Sequence, residues 1–264
     1  LEAGRYFLRK QQRSTGVSDG ELIRIAVKSL GLSELAPCDP QRRIIEYMLE
    51  DGAPAKLEAM SVRGFVEETA SESPAPGGGS VSALAGALGA SLGTMVANLS
   101  SHKRGWDDRW EEFSTWAEKG KQYYNALLRC VEEDTQAFNR LMDAFGQPKN
   151  SEEEKTVRKM AIQEATLNAM LVPLKVMELS LESMEVMKAM AETGNPNSVS
   201  DAGVGALCAR TAVRGAWLNV KINAAGLADK ARVAEILAQA EELARKAEEA
   251  EQKILALVDE KMSK

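Results

Sequence analysis

From Leu57 to the C-terminus, apolar residues recur at a helical period, and no run of alternating apolar and polar residues competes. This feature predicts helices over 58–70, 80–101, 107–145, 151–191, 199–227 and 231–262, the third and fourth open to a break. The gaps carry matching punctuation. Ser73 to Gly79 (SPAPGGG) is a turn-rich loop, Gly146 to Ser151 (GQPKNS) ends one helix and caps the next, and Gly194 to Asn197 (GNPN) does the same. Amphipathic helices joined by short turns bury their stripes against one another, so the expected fold is all-α, an antiparallel helical bundle. Composition agrees, because aromatics are only 5% of the chain and straight-chain residues and Ala lose little side-chain freedom in helices.

Residues 1–48 read as a separate unit. Ser18-Asp19-Gly20-Glu21 precedes a helical stretch through Leu30, and Gly31 stops it. So short a unit cannot bury a good core alone, and it is expected to pack onto sequence that is missing. Residues 49–56 (LEDGAPAK) read as a linker, and 57–264 as the bundle domain. The chain opens on Leu1 inside a segment that reads as structured, and so is expected to be a piece of a longer protein.

The net charge of −6 argues against nucleic acid as a partner, although a local basic pocket for a small anion stays open. Cys38, Cys130 and Cys208 form no CxxC pair, which suggests neither a disulfide framework nor a zinc cluster and suits a reducing, cytosolic setting. His102 is the single histidine, and no EF-hand or HExxH spacing appears, so no metal site is expected. The longest apolar stretch, Val81 to Leu99, is too interrupted by Gly and Ser to read as a membrane span.

Polar residues on apolar stripes are the informative ones, because burying them costs free energy unless they find partners. The third helix carries Leu127, Val131, Asp134, Phe138, Leu141 and Phe145 at helical spacing, and Asp134 stands where an apolar residue belongs. A carboxyl there is either paired or lines a cavity; the ordinary alternatives are a cap for another helix or a bridge between subunits. Burial would raise its pKa towards neutrality, which suits a group that takes and gives a proton. Asn223 interrupts the stripe Val213, Ala216, Val220, Leu227, with Asn219 one turn earlier. Two such carboxamides could hydrogen-bond a flat polar heterocycle or cross-link helices. Asp201, in Ser198-Val199-Ser200-Asp201, is a candidate cap or first-turn acid.

The loop Ala75-Pro76-Gly77-Gly78-Gly79-Ser80 opens a helix of small residues (Ser82, Ala83, Gly86, Gly89, Ala90, Gly93). Its amides could hold an anion such as a carboxylate, while the small residues suit close helix packing. No GK[ST] follows, so it is not a nucleotide loop. Ser101-His102-Lys103-Arg104 is the most basic short patch of the core region, either a contact for an anionic tail or a solvated helix end. The last helix has Ile236, Ala240, Leu243, Ala247, Ile254 and Val258 on one side, a packing seam.

The segments FVEETASESPAPGGGSVS (65–82), EEDTQAFNRLMDAF (132–145) and NSVSDAGVGALCARTAVRGAWLNVKIN (197–223) resemble the formiminotransferase-cyclodeaminase family in several motifs and in the right order. The resemblance covers about residues 57–264, and 1–48 resemble the tail of the preceding formiminotransferase domain, a fragment of an α/β fold. It implies a cyclodeaminase of histidine breakdown and one-carbon metabolism: 5-formiminotetrahydrofolate closes to 5,10-methenyltetrahydrofolate and ammonia leaves. Formimino transfer is not expected, because the catalytic part of that domain is missing. Asp134 matches the family's acidic catalytic position, in the setting Asp134, Ala137, Phe138. By the same resemblance Lys103 and Gly77, Gly78, Gly79 and Ser80 are candidates to hold the folate and its polyglutamate tail. Ser200, Asp201, Asn219 and Asn223 are candidates for the pteridine ring or the formimino group. The implied reaction needs no metal or organic cofactor. The family's ring-shaped octamer implies self-association, with dimers for a fragment, and family members are associated with the Golgi surface and the centrosome. A non-catalytic oligomerisation or scaffold module is the competing expectation.

Overall fold

The computed structural model describes residues 1–50 and 56–264, so the centre of the expected linker, 51–55, lies outside the described residues. Four short helices come first: α1 (Glu2–Lys10), α2 (Asp19–Ser29), α3 (Leu32–Leu35) and α4 (Ile45–Glu50). The expected α/β fragment shows no strand among the described residues. A single-turn 3-10 helix and α5 (Val62–Thr69) then lead to five long helices. These are α6 (Gly78–Ser101), α7 (Trp110–Gly146), α8 (Glu152–Thr193), α9 (Val199–Ala224) and α10 (Lys230–Met262).

The predicted punctuation is where the helices start and stop. Ser18 Oγ accepts the Glu21 amide at the start of α2, and Gly31 ends it in the left-handed region at φ 64°. Ser151 and Glu154 form a reciprocal capping box at the start of α8. The helices open to a break are each single, and Pro173 sits inside α8 without ending it. Residues 58–70 split, because α5 starts only after its Ser61 cap.

Side-chain pairs fix the topology. Between α6 and α9, Ser82 lies by Gly215 and Gly86 by Ala212. Glu133 pairs with Lys175 and Lys119 with Glu185 between α7 and α8, and between α9 and α10 Gly203 lies by Val258 and Arg210 pairs with Glu248. Thr94 by Gly120 and Ser80 with Asp134 relate α6 to α7, and Gly205 by Met187 and Asn223 with Ala169 relate α9 to α8. In each case a rising number meets a falling one, so sequential long helices run antiparallel, with α6 and α9 antiparallel as well.

Helix α6 lies among α7, α8 and α9. Where it crosses α9, a Cβ on Gly89 would stand 2.7 Å from the carbonyl oxygen of Gly205, so this approach needs a residue without a side chain. By length and composition α6 could cross a membrane, but 61% of its apolar window is buried inside the bundle, which accounts for its composition.

Candidate active site

The α7 stripe leaves the core partway along. Leu127 and Val131 are fully buried, Asp134, Phe138 and Leu141 are partly exposed, and Phe145 is exposed. Asp134 therefore stands where the helix passes from core to cleft. Antiparallel packing sets it against the first turn of α6, where Ser80 Oγ donates to its Oδ2 at 2.8 Å. A Cβ on Gly79 would lie 2.1 Å from Asp134 Oδ1, so the carboxyl occupies the volume a side chain would need. Burial pushes the Asp134 pKa above the usual carboxylate value, and the Ser80 hydroxyl and backbone amide partly offset it.

Asp134 lines a cleft of about 270 Å³ with Gly77, Gly78, Gly79, Thr135, Phe138, Leu141, Asn219, Ile222 and Asn223. Asn219 Nδ2 donates to the Gly215 carbonyl at 2.9 Å, and Asn223 Nδ2 to the Ala169 carbonyl of α8 at 2.8 Å. Asn223 thus does both things open to it: it ties α9 to α8 and faces the cleft. Each carboxamide spends one N–H in this way and keeps its oxygen as an acceptor and its second N–H as a donor. One wall is glycine and backbone, another apolar, and the polar groups are few and convergent, as in small-molecule sites. A larger cleft of about 520 Å³ in the N-terminal unit, lined by Ile23, Val27 and Tyr47 among others, has no acidic residue among the described residues of its lining.

The other candidates lie elsewhere. Ser80 is completely buried and turned to Asp134 instead of the cleft. Lys103 follows the far end of α6, whose 24 residues span about 36 Å, and its Nζ stands 4.1 Å from the Trp106 ring centroid. Ser200 and Asp201 are in the first turn of α9, and Asp201 is about 27 Å of helix from Asn219. Within one chain, then, Lys103, Ser200 and Asp201 do not meet Asp134, because α6 and α9 carry them to the opposite end of the bundle. Thr135 carries no periodic signal, since it lies off the stripe; only its position beside Asp134 pointed to it.

Residues 61–242 match the family described as formiminotransferase-cyclodeaminase, and residues 1–50 match the formiminotransferase domain. The mouse formimidoyltransferase-cyclodeaminase is 37% identical over 233 residues, covering 87% of this chain and 42% of that protein. The chain spans less than half the length of the formimidoyltransferase-cyclodeaminases it matches. A methenyltetrahydrofolate cyclohydrolase of Methylorubrum extorquens is 37% identical over 203 residues, 77% of this chain and 98% of its own length. The crystal structure of a formiminotetrahydrofolate cyclodeaminase from Thermotoga maritima has the same fold, with a TM-score of 0.68 at 27% identity over 77% of this chain. Since the family match takes in α6, α7, α8 and α9, which build the cleft, the chain belongs to the formiminotransferase-cyclodeaminase family.

Proposed function

We propose that the cleft closes 5-formiminotetrahydrofolate to 5,10-methenyltetrahydrofolate with release of ammonia, and that Asp134 carries the proton. The carrying observation is a partly buried carboxyl of raised pKa facing a cleft that already holds two carboxamides. N10 of the folate attacks the protonated formimino carbon, forming the new C–N bond as the C=N π electrons move to the departing nitrogen. Asp134 takes the N10 proton and then delivers it to that nitrogen. The N5 lone pair expels ammonia and leaves the methenyl cation. A carboxyl held between acid and base serves both steps. The oxygens of Asn219 and Asn223 are suited to accept hydrogen bonds from the amino and N–H edge of the pterin. No step needs a metal or an organic cofactor.

Asp134→Asn is expected to keep helicity by circular dichroism and lose about a hundredfold or more in turnover, read as methenyl absorbance. Full turnover in that variant would remove Asp134 from the mechanism and favour the scaffold reading. A second activity has one observation behind it, the Methylorubrum relative, which is matched over 98% of its own length. Water adding at the same carbon would give a carbinolamine, with Asp134 taking one of its protons; breaking the C–N5 bond as the hydroxyl proton passes to N5 would then open the ring to 10-formyltetrahydrofolate.

We further propose self-association through the outward faces of α6 and α9. No charged residue occurs between 78 and 101, yet Val81, Leu88, Met95 and Leu99 are exposed on one face of α6. Val204, Leu207, Leu218 and Ile222 are exposed on one face of the neighbouring α9. Exposed apolar surface of this extent suits a partner. A twofold axis across these antiparallel helices would bring Lys103, Ser200 and Asp201 of a second copy towards the cleft, a position suited to a polyglutamate tail. A cytosolic setting with peripheral Golgi and centrosomal association remains a proposal on family resemblance.

A further inference from the structure

We propose that Ser80 is the positioning residue of this site, acting on Asp134 and not on the substrate; the proposal rests on Asp134 as the proton carrier. Ser80 is 0% exposed, so no ligand in the cleft reaches its hydroxyl. Its one proton goes to Asp134 Oδ2 at 2.8 Å, so towards Thr135 Oγ1, at 3.4 Å, it is an acceptor. The three side chains form a directed chain from Thr135, which lines the cleft, through Ser80 to Asp134. Donation to Oδ2 fixes the rotation of the carboxyl, and the missing Gly79 side chain gives it the space.

The chain also sets how readily Asp134 ionises. The donor stabilises the charged form and so works against burial, keeping the group usable as a base. A hydroxyl that merely packed, or one that touched substrate, would not have this effect.

The test follows the Asp134 carboxyl by ¹³C NMR in ligand-free protein, with Asp134→Asn assigning the signal, beside the pH profile of kcat/KM. In Ser80→Ala, the carboxyl titration and the acid limb are expected to move to higher pH together, by about one pH unit, with KM little changed. Ser80→Cys keeps the shape with a weaker donor and is expected to fall between; its titration decides the matter if the alanine variant does not fold. An unmoved titration, or a rise in KM with an unmoved acid limb, would overturn the proposal. A shifted titration in a protein that never turns the substrate over would uphold it and sink the cyclodeaminase assignment instead.

Discussion

Asp134 combines a functional gain with a structural cost, and the two separate under mutation. Its folded pKa lies above its ordinary value of 3.8, so the folded state holds the proton more tightly than the unfolded chain does. Stability from this group is therefore full below pH 3.8 and is lost as pH rises through the folded value. At neutral pH the ionised carboxyl is a burden, and Asp134→Asn is expected to melt at the same or a higher temperature than the parent. That advantage should shrink as the pH is lowered towards the titration of Asp134, which scanning calorimetry at several pH values would check. Gly79→Ala makes the opposite case. Its Cβ would sit 2.1 Å from Asp134 Oδ1, so the carboxyl must swing out of line with Ser80. A loss of about a hundredfold in turnover and of about 1–3 kcal/mol in denaturant stability is expected.

At the scale of elements, the N-terminal unit is tied to the bundle by polar contacts. The segment between α1 and α2 runs across the ends of α6 and α7 away from the cleft. Asn98 Nδ2 donates to the Gly16 carbonyl, Thr15 N–H to Ser114 Oγ, and Lys121 Nζ to Asp19 at 2.6 Å. Ser14 N–H donates to His102 Nε2 at 3.3 Å, which requires a neutral imidazole. Burial and the nearby Arg13 push the His102 pKa below 6.5. The unfolded chain then binds more protons than the folded one just below pH 6.5, so stability is full above that pH and falls as the pH drops through the folded value. Amide protection at Ser14 to Val17, with the intrinsic pH dependence of exchange divided out, is expected to fall on going from pH 7.5 to 5.5, and Gln in place of His102 should flatten the dependence.

For the whole molecule, the decisive geometry is that each long helix reverses its predecessor. Residues close in sequence end up at one end of the bundle, and the ends are tens of ångströms apart. The proposed tail-binding region at Lys103 would then reach the cleft only from a second copy. Leu88→Glu puts a charge on the outward face of α6 and is expected to convert a dimer to a monomer by sedimentation, with folding unchanged. Lys103→Ala is expected to raise KM for polyglutamylated substrate while leaving the monoglutamate little affected. A dimer intact in Leu88→Glu would locate the association elsewhere.

Much of this was legible in the sequence because it is local. Helical period, Ser18 and Ser151 as caps, Gly31 as a stop and the small residues of α6 all depend on neighbours within a turn or two. Asp134 and Asn223 were visible as interruptions of a stripe, since a stripe predicts burial position by position. What the period cannot carry is where each helix stands against the next. Tertiary packing alone turned Ser80 from a presumed ligand contact into the partner of Asp134, set Asn219 and Asn223 on the same cleft, and sent Lys103, Ser200 and Asp201 to the other end. Stripes say which face is buried, whereas direction and axial offset decide which polar groups meet, and those follow from packing between residues far apart in the chain.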